Sequence, residues 1–143
     1  MDFSWVYNHS DIDWNELCHL YQIAPLGKKS PEDLLTVFSN SRFKCFVYSD
    51  NMLVGAGRAL ADGADCSYIA DVAVHPEYQG LGLGRQIVEK LVAFSEGHKK
   101  IILYASPGKE IFYRKLGFYK MKTAMAIFIN QSQAIESGLL SET

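Results

Sequence analysis

The sequence lacks any apolar run approaching the ~20 residues that a membrane-crossing helix needs. Its start, Met1-Asp2-Phe3-Ser4-Trp5, has neither the basic nor the apolar part of a leader segment. Basic excess is missing too: 14 Lys and Arg stand against 16 Asp and Glu, a formal charge of −2. A chain built to follow nucleic-acid phosphates usually carries a basic stripe, so no nucleic-acid partner and no membrane are expected. Cysteine is scarce, with only Cys18, Cys45 and Cys66, widely spaced and odd in number. No Cys-x-x-Cys pair exists, which argues against a disulfide framework and a zinc ribbon. The four histidines, His9, His19, His75 and His98, make no ligand spacing, so no metal is expected. Repeats and low-complexity linkers are also missing. A reducing cytosol is the expected address.

What is present suits a folded domain. Of the 143 residues 48% are hydrophobic and 21% charged, enough apolar surface for a core and too much for disorder. Phe3 to Asn8 reads as a strand. Asp11-Ile12-Asp13 offers caps for a helix carrying Trp14, Leu17, Cys18, Leu20 and Tyr21 on one face. Ser30-Pro31-Glu32-Asp33 starts a second helix, with a capping Ser, Pro at the first helical position and acids near the positive dipole end. Strands are expected over Phe43 to Ser49, Met52 to Ala61 and Ser67 to Val74, with turns at Asp50-Asn51 and Asp62-Gly63.

An amphipathic helix over Gly82 to Glu96 follows, then an apolar strand over Ile101 to Ala105 and a short helix from Lys109 to Leu116 closed by Gly117. Final strands are expected at Tyr119 to Lys122 and Ala124 to Ile129. This order predicts an α+β sandwich with a mostly antiparallel sheet. Residues 1–130 are read as one domain, and 131–143 as a polar tail without assigned structure.

The segment richest in chemistry joins the third long strand to the amphipathic helix: Val74-His75-Pro76-Glu77-Tyr78-Gln79-Gly80-Leu81-Gly82-Leu83-Gly84-Arg85. Alternating glycines let backbone approach a ligand closely, and a helix start presents unpaired N–H groups at the positive dipole end. Together they suit phosphate or pyrophosphate. The dinucleotide fingerprint fails, because Arg85 stands where its third glycine belongs and no acidic residue ends the next apolar run. The nucleoside-triphosphate loop fails because Gly84 is followed by Arg85-Gln86. A plain flexible connection is the alternative.

These residues resemble a family. Gln79-Gly80-Leu81-Gly82-Leu83-Gly84 fits the Gln/Arg-x-x-Gly-x-Gly/Ala signature of the GNAT N-acetyltransferases, and the preceding Asp71 to Tyr78 resembles their fourth strand and its exit. Phe112-Tyr113-Arg114-Lys115-Leu116-Gly117-Phe118 resembles their second signature, in the family's order and separation. The likeness covers about Phe3 to Ile129. Gly57 to Gly63 leading into Ile69 to Val72 is further similar to small bacterial and chloroplast members, a few of which act on arylalkylamines.

The resemblance implies a three-layer sandwich whose central strands splay apart to receive acetyl-CoA. It implies cofactor contacts by Val72, Ala73 and Val74, by Gln79, Gly80, Leu81, Gly82, Leu83, Gly84 and Arg85, and by Ser106, Phe112 and Tyr113. Pantetheine would pair with the backbone of Val72 and Val74, the pyrophosphate would take the loop amides, and the Val74 amide would polarise the thioester carbonyl. Ser106 stands where many relatives have an asparagine.

Tyr113 is implied as general acid, though Gly117 and Phe118 equally suit a helix cap packed on Tyr113. Asp71, a lone carboxylate among apolar residues, reads either as the base for the acceptor amine or as an ion pair with Arg58. Glu77 reads as a solvated charge, His75 as a surface residue, and Cys45 and Cys66 as core. Tyr21, Pro25, Leu26 and Lys28 would wall the acceptor side, with core packing the other reading of Trp14 and Tyr21. The expected activity is acetyl transfer from acetyl-CoA to a primary amine of a small molecule or peptide. A non-catalytic acyl-CoA sensor is the alternative, and a homodimer through the last strands occurs in such a family.

Overall fold

The computed structural model describes residues 2–143, which divide into two compact units, the first reaching to Leu103 and the second running Tyr104–Thr143. The first unit holds an open five-stranded sheet in the order β1-β2-β3-β4-β5. Its strands are β1 (Phe3–Val6), β2 (Phe43–Ser49), β3 (Met52–Ala61), β4 (Cys66–Val74) and β5 (Lys100–Ile102). Neighbours run antiparallel except β4 and β5, which are parallel. Three helices accompany them: α1 (Trp14–Ile23), α2 (Pro31–Ser39) and α3 (Leu83–Phe94).

Local chemistry sets the helix starts. The Asp13 side chain accepts from the N–H groups of Asn15 and Glu16, and Ser30 Oγ accepts from Asp33 N–H ahead of Pro31. Each satisfies orphan donors of a first turn, typically worth about 1 kcal/mol. Glu16 on α1 also accepts from Leu53 N–H at 2.9 Å, fixing the helix to the start of β3.

The two sheet faces are packed differently. Leu17, Leu20 and Tyr21 of α1 and Leu34 and Phe38 of α2 bury against Phe46, Leu53, Ala56 and Ala73. Trp14 packs on the same cluster, so Trp14 and Tyr21 belong to the core. On the other face lie Gly55 and Gly57. A Cβ at Gly57 would stand 2.8 Å from Ile87 Cγ2 and 3.1 Å from Leu91 Cδ1, so the bare backbone lets α3 lie directly on β3. That contact positions the glycine-rich start of α3.

The second unit contains α4 (Glu110–Lys115) and α5 (Gln131–Glu136). Helix α4 ends in a Schellman arrangement: Phe118 N–H donates to Tyr113 C=O, Gly117 N–H donates to Arg114 C=O, and Gly117 has φ +98. The strands expected at Tyr119 to Lys122 and Ala124 to Ile129 are not formed. Met125, Ile127 and Ile129 stand almost wholly exposed. Alternation alone makes no strand without a neighbour to pair with. In the polar tail, to which the sequence assigned no structure, Gln131–Glu136 form α5, with the Asn130 side chain accepting from Gln133 N–H.

Candidate functional site

Strand β4 carries the first part of the site. It pairs with β5 only along Cys66–Tyr68, where β5 itself ends at Ile102, so among the described residues the later part of β4 has no strand partner on that side. On its other side β4 follows β3 until the register slips, with Arg58 opposite Ala70 and Ala56 opposite Ala73. Asp71 and Val72 therefore face the single residue Gly57, and Asp71 takes up the extra length in the left-handed region at φ 57. Asp tolerates that region better than most side chains.

The ladder beyond the bulge fixes which backbone groups look outward. His75 N–H donates to Val54 C=O at 2.8 Å, so His75 and Val54 form a hydrogen-bonded pair. The next pair, Val74 with Gly55, is then non-hydrogen-bonded, and the Val74 N–H and C=O turn away from β3 toward the side where β4 has no further strand partner. Gln79 Nε2 reaches the Val74 carbonyl from there at 3.3 Å. Val72 alternates in the same sense. Ala73 does not: its backbone turns to β3 and its side chain is buried in the core.

The loop after β4 has a built shape. Pro76–Tyr78 form one 3-10 turn, capped by His75 Nδ1 accepting from Glu77 N–H at 3.1 Å. This is a structural use for His75. Gly80 and Gly82 both lie in the left-handed region, at φ +82 and +83. A Cβ at Gly80 would meet nothing within 4 Å, so glycine is needed there for its torsion angle and not for space.

Gly82 caps α3 without a side chain, and the first intrahelical bond runs from Gln86 N–H to Gly82 C=O. The N–H groups of Leu83, Gly84 and Arg85 thus have no acceptor in the helix. Leu83 is buried and anchors the turn, while Gln79, Gly80, Leu81 and Gly82 are exposed. The Arg85 side chain pairs with Glu89 at 3.4 Å, leaving its amide as its contribution. Such a row of outward donors at the positive dipole end suits a diphosphate.

Around Asp71 charges and hydrogen bonds converge. Arg58 Nε donates to Asp71 Oδ2 at 2.8 Å, and Lys29 Nζ lies 3.5 Å from Oδ1. Arg58 Nη1 donates to Ser41 Oγ, which donates onward to Val37 C=O, tying the bulge to the end of α2. Tyr21 OH donates to Asp71 C=O at 2.7 Å. Burial, and next the Asp71 charge, push the Tyr21 phenol well above its ordinary range, so it stays a donor. Asp71 therefore has the Arg58 partner that the sequence left as one of two readings.

Cys45 is fully buried, and burial pushes its thiol up to about 12, as befits core packing. Among the acceptor-side residues, Tyr21 is buried, Leu26 packs beside the core, and Pro25 and Lys28 are exposed.

The second unit holds the remaining sequence candidates. Ser106 is exposed in the turn before α4, its carbonyl accepting from Lys109 N–H. Tyr113 packs edge-on against Phe112 at 5.0 Å and Phe118 at 5.9 Å between ring centroids. The capping contact is therefore present. Burial also raises the Tyr113 phenol above its ordinary value, which keeps it protonated through neutral pH. Sequence reasoning missed Lys29 and Ser41, whose roles arise from contacts between distant segments. Their only local signals were a lysine in the loop between two helices and a serine next to a helix end.

Among the described residues no group of three or more His, Cys, Asp or Glu could hold a metal ion, and no helix is long and apolar enough to cross a membrane. The class defined here is an α+β domain in which a glycine-rich helix start after β4 presents main-chain donors without helix acceptors. The chain belongs to the acetyltransferase (GNAT) domain family, whose model matches residues 41–120.

An uncharacterized N-acetyltransferase of Porphyra purpurea is 42% identical over 74 residues, spanning 50% of this chain and 42% of that protein. A chloroplastic serotonin N-acetyltransferase of Oryza sativa is 48% identical over 67 residues, 46% of this chain and 34% of its own. The chain thus spans less than half the length of these relatives. A GNAT-family acetyltransferase structure from Streptococcus pneumoniae shares the fold, with TM-score 0.77 at 22% identity, covering 91% of this chain and 99% of that one.

Proposed function

We propose that this chain transfers an acetyl group from acetyl-CoA to the nitrogen of a primary amine by direct attack, with a small-molecule amine as acceptor. The observation that carries the reading is the run of main-chain donors without helix acceptors at Leu83–Arg85, set beyond a strand whose Val74 N–H turns away from β3. Acetyl-CoA supplies an activated acyl group and a diphosphate. The chain's own residues fit both. The amides of Gly80 through Arg85 bind the diphosphate, and the outward backbone of Val72 and Val74 pairs with an extended amide chain.

Val74 N–H stands ready to donate to a carbonyl oxygen as charge develops on it, a role typically worth ~3 kcal/mol. Asp71 receives the acceptor's ammonium and takes its proton. Tyr113, held protonated by burial, supplies a proton to the leaving thiolate. Most of the acceleration comes from holding two reactants together. The relative from Oryza sativa, named for an arylalkylamine substrate, supports a small amine with an apolar body.

The test is a screen of small amines and peptides for acetyl-CoA-dependent release of free thiol, run with the wild type and Tyr113→Phe. Turnover of a small amine, lowered at least tenfold in the variant, is expected. Turnover of peptides alone moves the acceptor to protein amines. Coenzyme binding without turnover of any amine identifies a sensor instead.

A further inference from the structure

We propose that Lys29 is itself an acceptor, acetylated at Nζ by its own chain. The inference rests on the reading above, in which Asp71 receives the acceptor's ammonium. One ammonium is already there. Lys29 Nζ lies 3.5 Å from Asp71 Oδ1 and 5.5 Å from the centre of the Tyr21 ring, so a carboxylate and an aromatic face both attend it. The loop that delivers it is held as well, because Cys18 Sγ donates to the Lys29 carbonyl at 2.9 Å. The Lys29 side chain remains 27% exposed, neither sealed in the core nor free in solvent. Lys28, one residue earlier, is exposed and has no part in this cluster.

An amine fixed at a receiving carboxylate has a large kinetic advantage over the same amine in solution, since its approach is already made. In the step, the Lys29 ammonium loses a proton to the Asp71 carboxylate, and the Nζ lone pair forms a bond to the acyl carbon. The carbon–sulfur bond breaks and its electron pair leaves with sulfur, which takes up a proton as the nitrogen sheds its second one. Summed over the step, an ammonium and a thioester become an amide and a thiol with release of one proton. The product has no charge at Nζ, so Asp71 keeps Arg58 but loses its second cation. The loop between α1 and α2 then loses its ion pair to the strand, and the acceptor side loosens once this acetyl group is in place.

The test is incubation of the full chain with acetyl-CoA and no added amine, followed by intact mass and peptide mapping. One acetyl group on Lys29 is expected, appearing about tenfold or more faster than on Lys28. Its first-order rate constant is expected to be independent of protein concentration. The preference should vanish in the urea-unfolded chain, and Lys29→Arg should remove the first label.

A second readout needs no coenzyme: Lys29→Gln should speed amide exchange over residues 24–30 relative to wild type. Equal labelling of Lys28 and Lys29, or a rate rising with protein concentration, overturns the proposal. So does unchanged exchange in Lys29→Gln. If added amines are acetylated while Lys29 stays unlabelled, this inference fails and the proposed function stands. If coenzyme A does not bind, the proposed function fails and Lys29 acetylation falls with it.

Discussion

Replacing Asp71 by Asn removes one negative charge and little else. Asn is as tolerant as Asp of the left-handed backbone at this bulge, so φ 57 adds no new strain. What changes is electrostatic: Arg58 and Lys29, with side chains 13% and 27% exposed, lose a carboxylate that is itself 20% exposed. Breaking a fully buried pair costs about 3–5 kcal/mol, and an exposed pair is worth about 0–1. A cluster between these limits gives about 2 kcal/mol. Asp71→Ala adds the penalty of a left-handed alanine, about 1 kcal/mol more.

Both tryptophans, Trp5 and Trp14, lie in the first unit, so their fluorescence in urea reports on this sheet. With a slope of roughly 1–3 kcal/mol per molar urea, Asp71→Asn should lower the midpoint by about 1 M at unchanged slope. Asp71→Ala should lower it further, and pairing Asp71→Asn with Arg58→Met should recover part of the loss. A stability within about 0.5 kcal/mol of wild type would refute the bulge as an electrostatic anchor. An Ala variant no worse than Asn would refute the backbone part of the reasoning.

Gly57→Ala should destabilise the chain by about 1–3 kcal/mol in the same assay, because its Cβ meets Ile87 Cγ2 at 2.8 Å across a packed interface. A neutral effect would mean that α3 is free to shift. Gly80→Ala meets no atom within 4 Å and should cost only the left-handed torsion, about 1 kcal/mol, while weakening coenzyme A binding. Unchanged affinity in that variant would contradict the loop's assignment.

Asp62 offers a pH test. Its carboxylate accepts from the N–H groups of Ala64, Asp65 and Cys66, chiefly the first two, which holds its pKa at about 2. A lowered folded value means that the contribution is present above the unfolded value of ~3.9 and is lost as pH falls through the folded one. The Ala64 and Asp65 amide resonances should therefore titrate near pH 2, and a transition near the ordinary carboxylate value would contradict the turn geometry.

Much of the fold could be read from local chemistry. Asp13, Ser30-Pro31 and Gly117-Phe118 act within a few residues of themselves, and each sits in the structure as its sequence rule requires. The alternating glycines read as room for a ligand, whereas Gly80 and Gly82 are required for their left-handed torsions. Asp71 shows the opposite case. No local signal marks it as a bulge residue, because the slip belongs to its pairing with β3. Gly55 and Gly57 likewise look like flexible strand positions until α3 is seen lying on them.

The alternation of Tyr119, Met121, Met125, Ile127 and Ile129 promised strands, yet that pattern states only which side chains share a face. The cap at Asn130 was readable in principle, as Asn followed three residues later by Gln, but the polar composition of the tail hid it.

Titration calorimetry of the chain with coenzyme A tests the main-chain cradle most directly, with pantetheine, which lacks the diphosphate, as the comparison. Saturable 1:1 binding of coenzyme A is expected, with pantetheine about tenfold weaker or worse, the loss of at least 1.4 kcal/mol of anion contact. Coenzyme A binding no tighter than pantetheine, or giving no heat, would contradict the account.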